Sequence, residues 1–140
     1  MKKLHSLSSA ALEHVRKLVS DHSRVVFVSG NFNIVHPGHL RLLRFAAECG
    51  DFLVVGVNDD DSEGTILPAD LRLEGVRSTS WVDYAFTLHD QPEEFVASLK
   101  PAIVAKGKEH ENMFKQFTNP LTIKKIKICM LTLTMYIFHM

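Results

Sequence analysis

The chain has 140 residues, 46% of them hydrophobic, and its 16 basic residues are balanced by 16 acidic ones. This length and apolar fraction fit one domain with a hydrophobic core. Broad nucleic-acid binding is not expected, because contacts with a phosphate backbone need clustered Lys and Arg. Two cysteines, Cys49 and Cys129, are too few for a disulfide framework or a zinc site.

The N-terminal residues do not resemble a secretion signal. Lys2 and Lys3 are followed by the polar residues His5 and Ser6 rather than by an apolar core. We therefore expect a cytoplasmic protein.

Helical and strand-like patterns alternate in the first half of the chain. Apolar residues at helical spacing in residues 1–23 predict an amphipathic helix. A short β-rich run follows at Val25–Ser29, and a second helix is predicted to begin at Pro37 and to end near Gly50. The continuous apolar run Phe52–Val57 is typical of a strand buried on both faces.

The alternation continues in the second half. A helix is predicted from Pro68 to about Arg77, and a strand from Trp81–Leu88. Pro92–Leu99 is predicted as a helix and Ala102–Ala105 as a fourth strand. Strands that alternate with helices predict an α/β fold, a Rossmann-like doubly wound parallel sheet with helices on both faces.

The final segment, residues 118–140, differs in composition from the domain that we place at residues 24–117. It contains no Ala, Gly, Val, Ser, Asp, Glu or Arg. Its apolar run from Cys129 to Met140 is shorter than the roughly 17–25 residues of a membrane span. Three interpretations stay open for this segment: a buried strand or helix, a contact with a membrane or a partner, or an aberrant or truncated end that does not complete the fold.

Four polar groups follow the predicted strands. They are Gly30–His39, Asn58–Asp61, His89–Asp90 and Lys106–Gly107. Ligands of doubly wound sheets bind outside the carboxyl ends of the strands. We therefore expect these four groups to line one crevice, although they are far apart in the sequence.

The first of these groups is the most informative. His36 and His39 lie on either side of a Pro-Gly step at a predicted helix start. Unpaired backbone N–H groups and the positive end of the helix dipole make such a point an anion site. Two imidazoles at this point indicate phosphoryl or nucleotidyl chemistry.

A family resemblance supports this interpretation. The run from Gly30 to His39, GNFNIVHPGH, resembles the G-x-F-D-x-x-H-x-G-H signature of the cytidylyltransferase-like nucleotidyltransferases. The chain is similar in particular to glycerol-3-phosphate cytidylyltransferases and heptose-phosphate adenylyltransferases, including the domains fused to sugar kinases. The likeness covers roughly residues 24–112 and includes Gly56–Asp60, Arg72, Val82-Asp83 and Lys106–Glu109.

The resemblance implies a single displacement reaction. A phosphorylated sugar or polyol attacks the α-phosphate of CTP or ATP, and pyrophosphate leaves. His36 and His39 are the implied catalytic residues, which bind the α-phosphate as charge accumulates on it. The family also implies Mg²⁺ that bridges the phosphates, with no metal ligand assigned in this chain, and a possible homodimer.

The resemblance further implies nucleotide-binding residues. These are Gly30, Asn31, Phe32, Gly38, Arg72 and Lys106. The two glycines would let the backbone approach the nucleotide, and Phe32 would pack beneath the loop. For Arg72 a solvated helix face, and for Lys106 a turn at the end of a strand, are the alternative interpretations.

Three departures from the family pattern are visible. Asn33 stands where the signature has aspartate, which removes a negative charge near the histidines. Ser80 replaces an arginine of several cytidylyltransferases, so the choice between CTP and ATP stays open. Residues 118–140 have no Ser/Thr-rich helix start for the triphosphate. Two alternatives to an active enzyme follow: a catalytically impaired nucleotide-binding module, or a truncated product that acts through its apolar tail.

Overall fold

The computed structural model describes residues 2–19, 24–107 and 127–131. Its elements are α1 (Lys2–Leu18), β1 (Val25–Gly30), α2 (Pro37–Cys49), β2 (Phe52–Asn58), α3 (Ala69–Arg77), β3 (Tyr84–Leu88), α4 (Pro92–Leu99), β4 (Ile103–Gly107) and β5 (Lys127–Leu131). The predicted order of helices and strands is confirmed.

The five strands of the described residues are all parallel and form one sheet in the order β3-β2-β1-β4-β5. From β1 in the middle, the chain moves outward through β2 to β3. It then returns to the other side of β1 to form β4 and β5. This reversal makes the predicted doubly wound sheet, and it places the topological switch point, where such folds bind ligands, between β1 and β4.

The helices cover both faces of this sheet because successive strand side chains point to opposite sides. Val28 and Val55 are fully buried on the face that packs against α2 and α3. Phe27 and Val54 are buried on the other face, with residues of α1 and α4. The prediction that the second strand is buried on both faces is therefore confirmed.

Each of the four predicted strands differs from the prediction by one to three residues at one end or both, and two of these differences matter most. The third strand begins at Tyr84 rather than Trp81, because the Asp83 carboxylate accepts the Leu53 backbone N–H at 2.7 Å just before the ladder starts. The fourth strand runs to Gly107 rather than Ala105, which places Lys106 inside the strand.

Part of the atypical final segment joins the sheet. Residues 127–131 form β5, which pairs in parallel with β4. Of the interpretations for residues 118–140, the strand is the one that the structure shows for these five positions. Residues 118–126 and 132–140 lie outside the described residues, as do Lys108-Glu109 of the family resemblance. Within the described part of the chain, no helix is long and apolar enough to cross a membrane.

Candidate active site

The start of α2 is organised by two histidine side chains. His36 is the N-cap residue, and its Nδ1 accepts the Gly38 backbone N–H at 3.0 Å. Pro37, the first helical residue, has no N–H group. The expectation of unpaired backbone N–H groups at this helix start is therefore wrong at positions 37 and 38. Binding of an anion at this helix start stays a prediction, and these two positions offer it no free backbone N–H group.

The contact with Gly38 determines the neutral tautomer of His36. A nitrogen that accepts a hydrogen bond carries no proton, so the proton of a neutral His36 ring must be on Nε2. Nε2–H is then a hydrogen-bond donor without any net charge on the ring. His36 can thus donate to a phosphate oxygen over the whole range in which the imidazole is neutral.

The tautomer of His39 follows from two competing contacts of its Nδ1. This nitrogen lies 3.0 Å from the Ile34 carbonyl oxygen and 3.3 Å from the His36 backbone nitrogen. A carbonyl only accepts, whereas a backbone N–H only donates, so one protonation state cannot satisfy both. We assign the proton to Nδ1 because the contact with Ile34 is shorter. Nε2 of a neutral His39 is then an acceptor, and it becomes a donor only in the imidazolium form.

The two imidazole rings form a stacked pair. Their centroids are 3.9 Å apart with 26° between the ring planes. The Phe32 ring lies 5.2 Å from the His39 ring and is 4% exposed, which confirms that Phe32 packs beneath the loop. Phe32 has a φ of 50°, a left-handed conformation that is costly for an aromatic residue. Burial of its ring in the core helps to hold this conformation.

The two signature glycines make room for these rings. A Cβ atom at Gly38 would lie 2.7 Å from the His36 ring, and one at Gly30 would lie 3.1 Å from the Phe32 ring. A side chain at position 38 would therefore displace the ring whose Nδ1 caps the helix. Whether the glycines also let the backbone approach a nucleotide stays a prediction.

Arg72 lies beneath the site and connects three segments. It is 1% exposed, so its interpretation as part of a solvated helix face is wrong. Nη1 donates to the carbonyls of Asn31 at 2.8 Å and Asn58 at 2.6 Å, and Nε donates to Leu67 at 2.7 Å. Nη2 contacts the Asp60 carboxylate at 3.2 Å. These acceptors compensate for burying the charge; its contact with a nucleotide stays a prediction.

Three of the four predicted strand-end groups are in contact. Asn31 accepts a hydrogen bond from Asn58 Nδ2 at 2.8 Å, which links the ends of β1 and β2. The Asp59 carboxylate lies 3.3 Å from His89 Nδ1, which links the ends of β2 and β3. These contacts place the first three groups along one edge of the sheet. Nucleotide binding by Asn31 stays a prediction.

Lys106 belongs to the fourth group and lies on β4, across the switch point from the histidines. It is 7% exposed, and it follows Val104 by two residues on the face covered by α1 and α4. Burial lowers the pKa of Lys106 to about 8, and the Glu93 carboxylate at the start of α4 opposes this shift. Its predicted contact with phosphate is not tested by these observations.

The sequence did not predict a link between two loops in this region. The loop that joins β2 to α3, residues 59–68, is tied to the loop after β1 through the side-chain amides of Asn31 and Asn33. The only signal in the sequence was the presence of two asparagines, a residue type that commonly bonds to loop backbone. Their partners are about thirty residues away along the chain, and no local pattern identifies them.

The chain is similar to proteins of a known family over most of its length. A family model described as cytidylyltransferase-like matches residues 27–137. The chain is similar to the bifunctional protein HldE of Campylobacter curvus, with 32% identity over 134 residues, which is 89% of this chain and 28% of that protein. It is also similar to the bifunctional protein HldE of Helicobacter hepaticus, with 38% identity over 101 residues, which is 64% of this chain and 20% of that protein. The chain thus spans about a quarter of the length of these curated relatives.

Solved structures show the same architecture. The lipopolysaccharide core biosynthesis protein from Thermoplasma volcanium has a TM-score of 0.67 and 28% identity, over 79% of this chain and 97% of that one. Pantoate-beta-alanine ligase from Francisella tularensis has a TM-score of 0.62 at 14% identity, over 86% of this chain and 64% of that one, and this likeness concerns the fold alone.

Proposed function

The chain belongs to the cytidylyltransferase-like family, and from that premise we propose that it transfers CMP or AMP from CTP or ATP to a phosphorylated sugar or polyol, with release of pyrophosphate. The observation that carries the proposal is the stacked pair His36 and His39 at the start of α2, beside the switch point of the sheet. The likeness to a lipopolysaccharide core biosynthesis protein supports a sugar phosphate as the acceptor.

In this proposal the α-phosphate of the nucleotide binds against the two ring edges. His36 Nε2–H donates to a non-bridging oxygen without needing a charged ring. His39 donates from Nε2 as an imidazolium, so its interaction strengthens as negative charge accumulates during the displacement. The protein forms no covalent bond with the substrate, and its contribution is to position the reactants and to stabilise charge.

The described residues of the proposed site fit a Mg²⁺ ion that is bound mainly by the nucleotide phosphates and enters with them. No group of three or more His, Cys, Asp or Glu side chains within the described residues is arranged to hold a metal ion. Mg²⁺ usually keeps several waters and takes the rest of its ligands from substrate phosphates and one or two carboxylates. The exposed Asp60 carboxylate, at the end of β2, is the side chain that we propose for such a contact. When bound, the ion would neutralise charge on the departing pyrophosphate.

Pyrophosphate release tests the proposal. The full chain is incubated with CTP or with ATP, with Mg²⁺ and a panel of sugar and polyol phosphates. We expect release with one nucleotide and at least one acceptor. His36→Ala and His39→Ala should each lower kcat by about 10²–10³, because each removes a donor aimed at the transition state. Nucleotide affinity should change much less.

Two further variants sharpen this test. His39→Asn keeps an amide N–H for the Ile34 carbonyl but has no counterpart of Nε2, so it should be as impaired as His39→Ala. His14→Ala removes an exposed histidine of α1 that contacts Tyr84, and it should keep the full rate. Similar losses in kcat and in nucleotide affinity for His39→Ala would contradict its proposed role.

The other outcomes of the experiment correspond to the alternative functions. Nucleotide binding in calorimetry without any turnover would indicate a binding module of the same fold. An absence of nucleotide binding, together with better solubility after deletion of residues 120–140, would favour a product that acts through its apolar tail.

A further inference from the structure

Asn33 joins the loop after β1 to the loop between β2 and α3. Its Nδ2 donates to the Gly64 carbonyl at 2.8 Å, and its Oδ1 accepts the Ile66 backbone N–H at 2.6 Å. One contact needs a donor and the other needs an acceptor. A carboxamide provides both, whereas a carboxylate provides acceptors only.

Little apolar burial supports this contact between the two loops. Ile34, next to Asn33, is 71% exposed, and Ile66 is 82% exposed. Gly64 has a φ of 84°, which favours glycine at that turn. Because the isoleucines remain in solvent, hydrogen bonds hold these loops together: those of Arg72 at Asn31 and Leu67, and those of the Asn33 amide near their tips.

The same stretch of chain also orients a catalytic ring of the proposed site. The residue after Asn33 is Ile34, and its carbonyl lies 3.0 Å from His39 Nδ1. A displacement of Asn33 would move this carbonyl, and with it the partner that aligns the His39 ring. The path from the β2–α3 loop to His39 is therefore two hydrogen bonds and one peptide unit long.

We propose that Asn33 is a positioning residue, whose amide holds the β2–α3 loop and the Ile34 carbonyl in the arrangement that orients His39. Its effect on catalysis rests on the proposed function, whereas the link between the loops does not. The amide is required at this position. Restoring the aspartate of the family signature would place a carboxylate oxygen against the Gly64 carbonyl, and the loops would separate.

The experiment compares Asn33→Asp and Asn33→Ala with the unmodified chain. We expect both variants to lower kcat by about fivefold to tenfold, because a displaced Ile34 carbonyl leaves the His39 ring less well aligned with the reacting phosphate. The KM for the nucleotide and the thermal midpoint should change little, because the effect is on alignment. If Asn33 contributed to stability alone, the variants would have a lower thermal midpoint and would not show a lower kcat at an unchanged KM.

A matched control separates the loop contact from the added charge. Gln91→Glu introduces the same charge change at an exposed position before α4, where the side chain makes no capping hydrogen bond. We expect this variant to keep kcat within about twofold of the unmodified chain. A loss equal to that of Asn33→Asp would show that added charge causes the effect, and it would overturn the proposal.

Hydrogen exchange tests the link between the loops without any need for activity. In Asn33→Ala the Ile66 amide should exchange about tenfold faster, because it loses its acceptor. The Ala69 amide donates to Asp60 Oδ1 at 2.8 Å and should exchange at its original rate. This result would support the loop contact even if no nucleotide were turned over, in which case the proposed function alone would fail.

Two results would overturn the proposal. One is an Asn33→Asp variant that is as active as the unmodified chain, since the carboxylate would then serve as well as the amide. The other is an Ile66 amide whose exchange is unchanged in Asn33→Ala, since Asn33 would then not hold the loop.

Discussion

Two of the predicted nucleotide-binding residues are buried cations, and their surroundings differ. Arg72 is 1% exposed, and its guanidinium has three backbone carbonyls and the Asp60 carboxylate as acceptors. Lys106 is 7% exposed, and its burial lowers its pKa to about 8. The first cation is surrounded by groups that stabilise its charge. The second is in an environment that disfavours its charge, so a bound anion would stabilise the charged form.

This contrast suggests a division of roles. Arg72 joins the loop after β1, the end of β2 and the loop between β2 and α3. Its charge therefore stabilises the structure whether or not a ligand is bound. Lys106 lies on β4, the strand that borders the switch point opposite the histidine pair. We expect the protonation of Lys106 to depend on the phosphates of a bound nucleotide.

The largest expected change in stability comes from removing the guanidinium group of Arg72. Arg72→Met leaves the part-buried carbonyls of Asn31, Asn58 and Leu67 without their donor, and it should lower the free energy of unfolding by about 3–5 kcal/mol, at about 1–3 kcal/mol for each group. Urea denaturation measures the change. Arg72→Lys should recover little of this lost stability, because an ammonium group cannot match the planar arrangement of these contacts.

A matched control uses an arginine at the surface. Arg44 forms an exposed ion pair with Glu48 one turn away, and Arg44→Met should cost no more than about 0.5 kcal/mol. If the Arg72 and Arg44 variants lost similar amounts of stability, the structural role of Arg72 would be wrong.

Replacing the buried Lys106 should change the free energy of unfolding by less than replacing Arg72, and it should raise it rather than lower it. The pKa of Lys106 is about 8 in the folded chain, against an ordinary lysine pKa of 10.5, so the unfolded state binds more protons between these two pH values. The free energy of unfolding should therefore rise as the pH increases from about 8 to 10.5. Lys106→Met should remove this dependence and stabilise the chain at neutral pH, by about 2 kcal/mol.

Urea denaturation of the unmodified chain and of Lys106→Met, each at neutral pH and near pH 10, measures the difference in their free energies of unfolding. Comparing the two chains at each pH cancels the titration of other groups, such as Tyr84, whose pKa is raised by burial. A Lys106→Met variant that is less stable than the unmodified chain at neutral pH would contradict the prediction.

The smallest signal is proton uptake upon nucleotide binding. If a phosphate binds near Lys106, it raises the lysine pKa, and up to about one proton should be taken up near pH 9. Calorimetry in two buffers of different ionisation enthalpy measures this proton. Lys106→Met should bind the nucleotide with less uptake, whereas equal uptake in both chains would place the phosphates away from Lys106.

The sequence predicted the fold well because the relevant signals are local. Continuous apolar runs such as Phe52–Val57 mark buried parallel strands, and a Pro-Gly step between two histidines marks the start of α2. Side-chain directions alternate along each strand, so the two faces of the core follow from the same runs. Both histidines lie at the start of α2, as their position beside the Pro-Gly step predicted, and the stacking of their rings is a finding of the structure.

The role of Arg72 could not be predicted in the same way. Its acceptors include a carbonyl that lies 41 residues earlier in the chain, and a backbone carbonyl leaves no mark in the sequence. An arginine on a short helix looks like a solvated residue by composition alone. Its burial depends on how the loops after β1 and β2 fold over the start of α3.

The sequence by itself determined the order of elements, the parallel sheet and the position of the histidine pair, because these depend on residue periodicity and on contacts within a few positions. Tertiary structure alone decided the acceptors around Arg72, the lowered pKa of Lys106 and the link made by Asn33. Each of these depends on which distant backbone groups approach a side chain, and on how much water remains around it.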